Sequence, residues 1–287
     1  MGIDHVAFRY MGGKFNLAPR IIELMPPHEC FCEPMAGAAN VLLRKPPSQV
    51  EVLNDIDGNI INFFEQLRNN TQALMWKLTW TPYSRRLHDD WEKEWKEKGP
   101  PQDPIERAVR WHYLVGASID GILGNDFSYS EHKNKAEERN AMVDNLFKVA
   151  HRLRHVVLEC KDFSDIIQRY DGPETLFYLD PPYQGLEKIS DTRTYYAAGF
   201  SLERHKELAE LVHNIRGKVI LSYYPSPKID EWYKDFYRVE IDVVKSSAGV
   251  EEGYVKPKGI ELLLMNYPGR PLFRWAKEQQ GLDIPYY

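Results

Sequence analysis

The N-terminal part of the chain alternates short apolar runs with segments whose apolar residues recur at helical spacing. Residues 15–25 have this spacing and end at Pro26, while residues 29–33 are typical of a short strand. A turn of small residues then precedes a helix over 40–43, and a second strand is predicted over 51–53. The apolar face of the next helix consists of Ile60, Ile61, Phe63, Phe64 and Leu67. This order of elements predicts an α/β fold.

The alternation returns in the C-terminal half after a long interruption. Strands are predicted at the apolar runs 156–160, 175–179, 219–221, 237–244 and 260–265. A short helix is expected over 163–169, and Ser201 is the predicted N-cap of a helix that ends before Gly217. Residues 69–155 lack the alternation and combine tryptophans with a charge-rich stretch. They are therefore predicted to form an inserted, mostly helical subdomain.

Composition places the chain among ordinary globular proteins, because 43% of its 287 residues are hydrophobic and 28% are charged. No apolar stretch approaches the roughly 20 residues that cross a bilayer, and the first residues lack a signal-peptide core, so we expect a cytoplasmic protein without a membrane partner. The formal net charge of -5 argues against a protein that coats nucleic acid, yet it permits a locally basic cleft. Cys30 and Cys32, beside His28, are interpreted as core residues, and no metal site is predicted.

One short motif gives the clearest indication of a site. Asp180, Pro181, Pro182 and Tyr183 directly follow the apolar run 175–179. Neither proline can continue a strand, and α/β proteins bind ligands where their parallel strands end. A carboxylate and an aromatic ring at this place suit a flat, hydrogen-bonding group. The alternative is a proline-terminated strand whose aspartate caps a turn and whose tyrosine packs in the core.

Two other segments have the composition of a nucleoside site. The first strand is followed by a turn of small residues that contains Gly37, and the second strand ends at Asp55. In doubly wound folds such a turn admits the ligand and the carboxylate binds the ribose hydroxyls, although a simple turn explains the same residues equally well. Near the N-terminus, Gly12 and Gly13 permit close approach of the backbone. Lys14, which follows them, either meets a carboxylate or lies in solvent.

In this order the motifs resemble those of the Dam-like (D12 class) DNA adenine-N6 methyltransferases. The family's aromatic-x-Gly-Gly-Lys matches Tyr10-Met11-Gly12-Gly13-Lys14, and its Glu-Pro-Phe-x-Gly-x-Gly matches Glu33-Pro34-Met35-Ala36-Gly37-Ala38-Ala39. Its Asn-Asp matches Asn54-Asp55, and its Asp-Pro-Pro-Tyr matches Asp180-Pro181-Pro182-Tyr183. Met35 and Ala39 depart from the family's Phe and Gly. The resemblance extends from about residue 8 to residue 267, except in the middle segment.

The resemblance implies a Rossmann-like class I methyltransferase sheet. It also implies transfer of a methyl group from S-adenosylmethionine to the N6 amino group of a flipped-out adenine in a specific sequence of double-stranded DNA. In the Asp-Pro-Pro-Tyr motif, Asp180 and the Pro181 carbonyl would accept the N6 hydrogens and Tyr183 would stack on the base; Pro182 completes the motif. The implied cofactor-binding residues are Tyr10, Lys14, Glu33, Pro34, Gly37, Asp55, Asp162, Phe163 and Asp180. Asp162 is equally suited to cap the helix that follows it.

By the same resemblance, residues 1–68 and 156–287 would form the catalytic domain and 69–155 the target-recognition subdomain. Residues 184–199 are long enough for a lid, or for a plain surface loop. The candidate phosphate contacts in the insert, each of which is also a plausible solvated charge, are Arg85, Arg86, Lys133, Lys135 and Arg139.

Two alternative functions stay open at this point. One is a methyltransferase that acts on another amino group such as cytosine N4. The other is a catalytically silent cofactor-binding module that only recognises DNA; retention of the Asp180 carboxylate argues against it. A cognate restriction endonuclease is a candidate partner, and the sequence specifies neither the recognition site nor the oligomeric state.

Overall fold

The computed structural model of the protein describes residues 2–10, 12–183, 200–244 and 258–268. The lid predicted at 184–199 therefore lies outside the described residues, as do the segments 245–257 and 269–287. No helix in the described ranges combines the length and the apolar character that a bilayer span requires.

One mixed sheet forms the centre of the fold. Its strands are β1 (Cys30–Glu33), β2 (Val50–Asn54), β3 (Val156–Glu159), β4 (Thr175–Leu179), β5 (Lys218–Tyr223), β6 (Tyr237–Val244) and β7 (Lys258–Met265). Their order across the seven-stranded sheet is β3-β2-β1-β4-β5-β7-β6. The first five strands are parallel, and β7 is antiparallel to both of its neighbours. The α/β prediction is confirmed, and each predicted strand is present.

Helices cover both faces of this sheet. Those that precede residue 71 or follow β3 in the chain are α1 (Ala18–Leu24), α2 (Asn40–Arg44), α3 (Gly58–Asn69), α8 (Phe163–Tyr170), α9 (Leu202–His213) and α10 (Pro227–Trp232). The predicted cap of α9 is confirmed, because the Ser201 side chain accepts the Arg204 N–H. The sequence analysis missed α10, since six residues after Ser226 are too few to establish a helical period.

The central strand β4 is packed on both of its faces. All of its residues are buried, as expected for a parallel strand covered on both faces. Leu176 and Tyr178 belong to one hydrophobic cluster, and Phe177 and Leu179 belong to the other. Alternate side chains therefore anchor the strand in two separate cores, and the residue that follows, Asp180, leaves the sheet from a fixed point.

The segment between α3 and β3 is helical, as predicted. It contains α4 (Thr71–Trp80), α5 (Arg85–Lys98), α6 (Pro104–Ala117) and α7 (Lys135–Arg152). Trp111 of α6 packs at 4.8 Å from Phe8 and 5.7 Å from Phe63, measured between ring centroids. Trp91 and Trp95 of α5 pack against the same cluster. Because α3 shares its core with these helices, the subdomain boundary at 69–155 stays a prediction.

A buried ion cluster joins the last helix of this segment to the sheet. Glu51 of β2 lies 2.7 Å from Lys45 Nζ and 2.5 Å from Arg152 Nη1. Burial by itself would raise the pKa of Glu51, but the Arg152 and Lys45 bonds lower it below its usual value. Arg152 also donates to the Leu42 carbonyl at 2.8 Å. The cluster thereby fixes α7 against both β2 and α2.

Candidate active site

The carboxyl ends of the parallel strands open into one cavity of about 1580 Å³. Strand β1 lies between β2 and β4, so the loops after these three strands are neighbours at the point where the strand order reverses. This cavity is lined by every residue predicted for catalysis or cofactor binding: Tyr10, Lys14, Glu33, Pro34, Gly37, Asp55, Asp162, Phe163, Asp180, Pro181, Pro182 and Tyr183. The fold therefore brings the predicted site together.

The loop after β1 depends on Gly37. This residue has φ of 48°, in the left-handed region, and its N–H donates to Asp55 Oδ2 at 2.8 Å. A Cβ atom at this position would lie only 2.9 Å from Cε1 of Tyr10. Both the backbone conformation and the close tyrosine ring therefore require glycine here.

Asp55 is buried at the end of β2, on the wall of the cavity. Its other oxygen, Oδ1, accepts the Asp57 N–H at 2.9 Å. Burial raises the pKa of Asp55 to about 6, although backbone N–H groups, those of Asp57 and Gly37 foremost, oppose the shift. A carboxylate offers about four lone-pair sites, so Asp55 retains acceptor capacity for hydroxyl groups of a ligand.

Glu33 has a clear structural partner at the other side of the loop. Its Oε2 accepts the Leu42 N–H at 3.0 Å, in the first turn of α2. The N-cap residue of that helix, Ala39, offers no side-chain acceptor and has φ of 52° where the family pattern has glycine. Burial raises the pKa of Glu33 well above its usual value, and the Leu42 bond offsets part of this shift. Glu33 thus caps α2; contact with a cofactor stays a prediction.

Asp180 forms a partly buried ion pair with the lysine of the N-terminal motif. Lys14 Nζ lies 2.9 Å from Oδ2 and 2.9 Å from Oδ1 of this carboxylate, and it also donates to the Gly12 carbonyl at 2.9 Å. Burial by itself lowers the pKa of Lys14, but the Asp180 and Glu261 carboxylates raise it above its ordinary value. The expectation that Lys14 meets a carboxylate is confirmed, over a separation of 166 residues.

Tyr183 is held between the carboxyl groups of Asp180 and Glu261. Its hydroxyl lies 3.0 Å from Asp180 Oδ1 and contacts Glu261 Oε1. Its ring centroid is 4.8 Å from Lys14 Nζ and 4.4 Å from the ring centroid of Tyr224. Burial, followed by the two carboxylates, raises the pKa of Tyr183 well above its usual value, so the phenol is neutral. Tyr183 is 7% exposed and Tyr224 is 38% exposed, so Tyr224 is the more accessible aromatic ring here.

Comparison with known proteins decides the family. A family model described as D12 class N6 adenine-specific DNA methyltransferase matches residues 10–246. The chain belongs to this family. DNA adenine methylases of Salmonella typhi and Escherichia coli are 26% and 25% identical to it over 277 and 279 residues, which is 91% of this chain and 95% of each relative. A Type II methyltransferase of Lactococcus lactis subsp. cremoris is 25% identical over 272 residues, which is 90% of this chain and 94% of that relative.

In this D12 class methyltransferase, Asp162 fulfils the structural role that the sequence left open. Its Oδ1 accepts the Ser164 N–H at 2.9 Å and so caps α8. Its other oxygen forms an ion pair with Arg204 of α9, whose guanidinium carbon also lies 4.4 Å from the Phe163 ring centroid. Although burial opposes it, the Arg204 and Ser164 bonds lower the pKa of Asp162. Both Asp162 and Phe163 face the cavity, and their contact with a cofactor stays a prediction.

The residues predicted to contact DNA differ in their exposure and in their partners. Arg85, Arg86 and Lys133 are exposed, and the Arg85 guanidinium carbon lies 5.0 Å from the Phe127 ring centroid. Lys135 pairs with Glu138 at 2.9 Å and lines the cavity.

Arg139 requires a correction, because the structure contradicts its predicted contact with phosphate. It is only 3% exposed, and its guanidinium donates to the carbonyls of Leu78 at 2.9 Å and Thr81 at 3.1 Å. It therefore satisfies backbone acceptors at the end of α4.

The polar and aromatic residues of the cavity that the sequence analysis missed include Glu261, Tyr224 and Arg204. Glu261 carried a signal, because it is a single charged residue in the apolar run 260–265. Tyr224 follows the last residue of β5, and Arg204 lies in the first turn of α9. Neither position differs in sequence from an ordinary surface residue.

Proposed function

We propose that this D12 class protein transfers a methyl group from S-adenosylmethionine to the N6 amino group of adenine in double-stranded DNA. One observation carries the proposal: a single cavity contains both the Gly37–Asp55 loop and the Lys14–Asp180 pair. Its volume of about 1580 Å³ exceeds that of ordinary single-ligand pockets, roughly 300–1,000 Å³, so a nucleoside cofactor and a flipped base have space together.

The loop side of the cavity fits the cofactor. Asp55 retains acceptor sites for the ribose hydroxyls, and Gly37 keeps the loop close to Tyr10. The bound cofactor would supply an activated methyl group on a sulfonium. The role of the protein is then to hold the amino group of the base in line with that methyl and to exclude water.

The Asp180 side of the cavity fits an exocyclic amine. The N6 lone pair of adenine is delocalised into the ring, so the amine is a poor nucleophile. Asp180 and the Pro181 carbonyl would accept its two hydrogens and stabilise the positive charge that develops on nitrogen. Lys14 pairs with Asp180 through both carboxylate oxygens, which limits rotation of that side chain. Tyr183 and Tyr224 would form the aromatic wall beside the flipped base.

The test is to incubate the protein with unmethylated DNA and labelled S-adenosylmethionine, digest the DNA, and identify the labelled nucleoside. We expect N6-methyladenine. Label in N4-methylcytosine would show that the target amine belongs to cytosine and would contradict the proposal. The family description favours adenine. Unlabelled DNA, with a protein that still binds cofactor and DNA, would establish the silent module instead.

The exposed arginines at the start of α5 are expected to contact DNA phosphates. Substitution of both Arg85 and Arg86 by alanine should weaken DNA binding about 10-fold or more and reduce the slope of log affinity against log salt by about 2, because two phosphate contacts are lost. Fluorescence anisotropy over a salt series measures both quantities.

The control for that pair is the double substitution of Lys96 and Lys98 by alanine. It removes the same charge from the same helix, roughly 17 Å further along. Equal salt slopes for the two double variants would show that only net charge matters and would remove Arg85 and Arg86 from the interface.

Binding of the cofactor is expected to release a proton near pH 6. The Asp55 carboxyl, with a pKa of about 6 in the free protein, must be ionised to accept two hydroxyl hydrogens, and those donors would lower its pKa. Affinity should therefore be full above about pH 6 and fall as the pH is lowered through this value. Calorimetry in buffers of different ionisation enthalpy counts the protons, and Asp55→Asn should abolish the release. Wild-type binding without proton release would contradict the assignment.

We also propose a cognate restriction endonuclease as a partner and a cytoplasmic location. The Lactococcus lactis relative is named as a Type II methyltransferase, whereas the other two relatives are named as DNA adenine methylases. The recognition sequence is to be read from the positions of the label in the mapped DNA.

A further inference from the structure

Glu261 is a buried carboxylate next to the proposed reaction centre, and no step so far uses it. It lies in β7 and is 3% exposed. Because β7 is antiparallel to β5, its first residues lie at the carboxyl end of β5, where Leu262 pairs with Tyr223. The topology thus brings a residue 81 positions beyond Asp180 to the same end of the sheet.

The Tyr183 hydroxyl has one hydrogen but two carboxyl neighbours. It contacts Oδ1 of Asp180 and Oε1 of Glu261, but it has a single hydrogen to donate. If both carboxyl groups were ionised, one carboxylate oxygen would face the lone pairs of the hydroxyl oxygen. Such a contact in a buried site is unfavourable. A proton on one of the two carboxyl groups removes the conflict.

The geometry identifies the carboxyl group that holds this proton. Lys14 Nζ lies 2.9 Å from both oxygens of Asp180 but 3.5 Å from Glu261 Oε1. The Asp180 side chain is 20% exposed and the Glu261 side chain is 4% exposed. The nearest cation lies beside Asp180, whereas the deeper burial of Glu261 and its greater distance from that cation favour a proton on Glu261. Burial, with a smaller contribution from Asp180, accordingly raises the pKa of Glu261 against the opposing effect of Lys14.

The groups packed around Glu261 agree with this distribution of charge. Five titratable groups surround Glu261: Lys14, Tyr178, Asp180, Tyr183 and Tyr224. They come from the N-terminal turn, β4, the motif after β4 and the end of β5. Within this set Lys14 is the single cation, and Asp180 is its closer partner. With Glu261 neutral, the charges of Lys14 and Asp180 balance within this group of five residues and Glu261.

We infer that Glu261 is a protonated positioning residue: it donates its carboxyl hydrogen to the Tyr183 hydroxyl and so directs the hydroxyl hydrogen to Asp180. The inference rests on the proposed function, in which Asp180 accepts hydrogens of the target amine. Loss of the Glu261 proton would turn the Tyr183 hydrogen towards Glu261. Asp180 would then lose one of the two donors that fix its orientation.

The test compares Glu261→Gln with Glu261→Ala. The amide of glutamine keeps the size of the side chain and donates a hydrogen, as the neutral acid does, so we expect kcat/KM for DNA within about 3-fold of wild type. Alanine removes the donor, and we expect a loss of at least about 10-fold, as for other buried hydrogen bonds. Cofactor titration and melting curves establish that each variant is folded and binds cofactor.

Two readouts separate this role from simple packing. The wild-type rate should fall at alkaline pH as Glu261 loses its proton, and this step should be absent from the pH profile of Glu261→Gln. Infrared spectroscopy of the wild-type protein should show a protonated carboxyl band that Glu261→Gln lacks. This band does not depend on turnover, so it tests the protonation state even if the proposed methylation fails. A glutamine variant as impaired as the alanine variant, or a spectrum that Glu261→Gln leaves unchanged, would overturn the inference.

Discussion

Substitution of Asp180 by alanine is expected to lower the rate of methyl transfer by about 10³-fold or more while the fold persists. The substitution removes an acceptor of the amine hydrogens at the atom where charge develops, a type of loss that typically costs 10²- to 10³-fold, and it also removes the main partner of Lys14. Single-turnover measurement of labelled methyl in DNA gives the rate of the chemical step.

Two controls make the Asp180 result specific. Asp180→Asn keeps an acceptor oxygen and the shape of the side chain, so it should retain more activity than the alanine variant. Asp144→Ala changes an exposed carboxylate on α7, outside the cavity, and should behave as wild type. If Asp180→Ala methylated DNA at the wild-type rate, the assignment of the reaction centre would be wrong.

Substitution of Asp55 by alanine should raise the dissociation constant of S-adenosylmethionine about 10- to 100-fold. A charge-assisted hydrogen bond contributes about 1.5–3 kcal/mol, and this carboxylate is expected to accept two ribose hydroxyls. It also holds the Gly37 N–H at 2.8 Å, so the loop loses an anchor as well. Calorimetric or fluorescence titration with the cofactor measures the effect.

The rate at saturating cofactor distinguishes the two aspartates. Asp55→Ala should approach the wild-type rate when cofactor is in excess, because the acceptor of the amine hydrogens is intact. Asp180→Ala should stay slow at any cofactor concentration. An unchanged cofactor affinity in Asp55→Ala would contradict the ribose assignment, with Asp144→Ala as the matched control.

Much of this fold follows from local sequence pattern. The residues of β4 form a continuous apolar run because a central parallel strand is covered on both faces, and Ser201 marks the start of α9 because its side chain satisfies a backbone donor. Strand-end residues were predictable for the same reason, since parallel strands bring their carboxyl ends to one edge. The nine implied cofactor residues and the Asp-Pro-Pro-Tyr motif accordingly line one cavity.

The role of charged residues in the segment 69–155 was harder to predict, because buried and exposed charged side chains there are of the same residue types. Arg139 and Arg85 are both arginines in a charge-rich region, yet Arg139 is buried against carbonyls at the end of α4 and Arg85 is exposed. The burial of Arg139 depends on which face of α7 meets α4, a matter of helix packing that periodicity in the sequence does not specify.

The sequence by itself determined the α/β class and the strand ends, and it predicted Asp180 as the reactive carboxylate, since these depend on residues close together in the chain. Only the tertiary structure decided the partners of that carboxylate. Lys14 reaches Asp180 across 166 residues, and Glu261 arrives on an antiparallel strand whose position is set by sheet pairing. Hydrogen bonds and charge balance in a buried site depend on distances of a few ångströms between such remote segments. The periodicity of residues along the chain does not specify these distances.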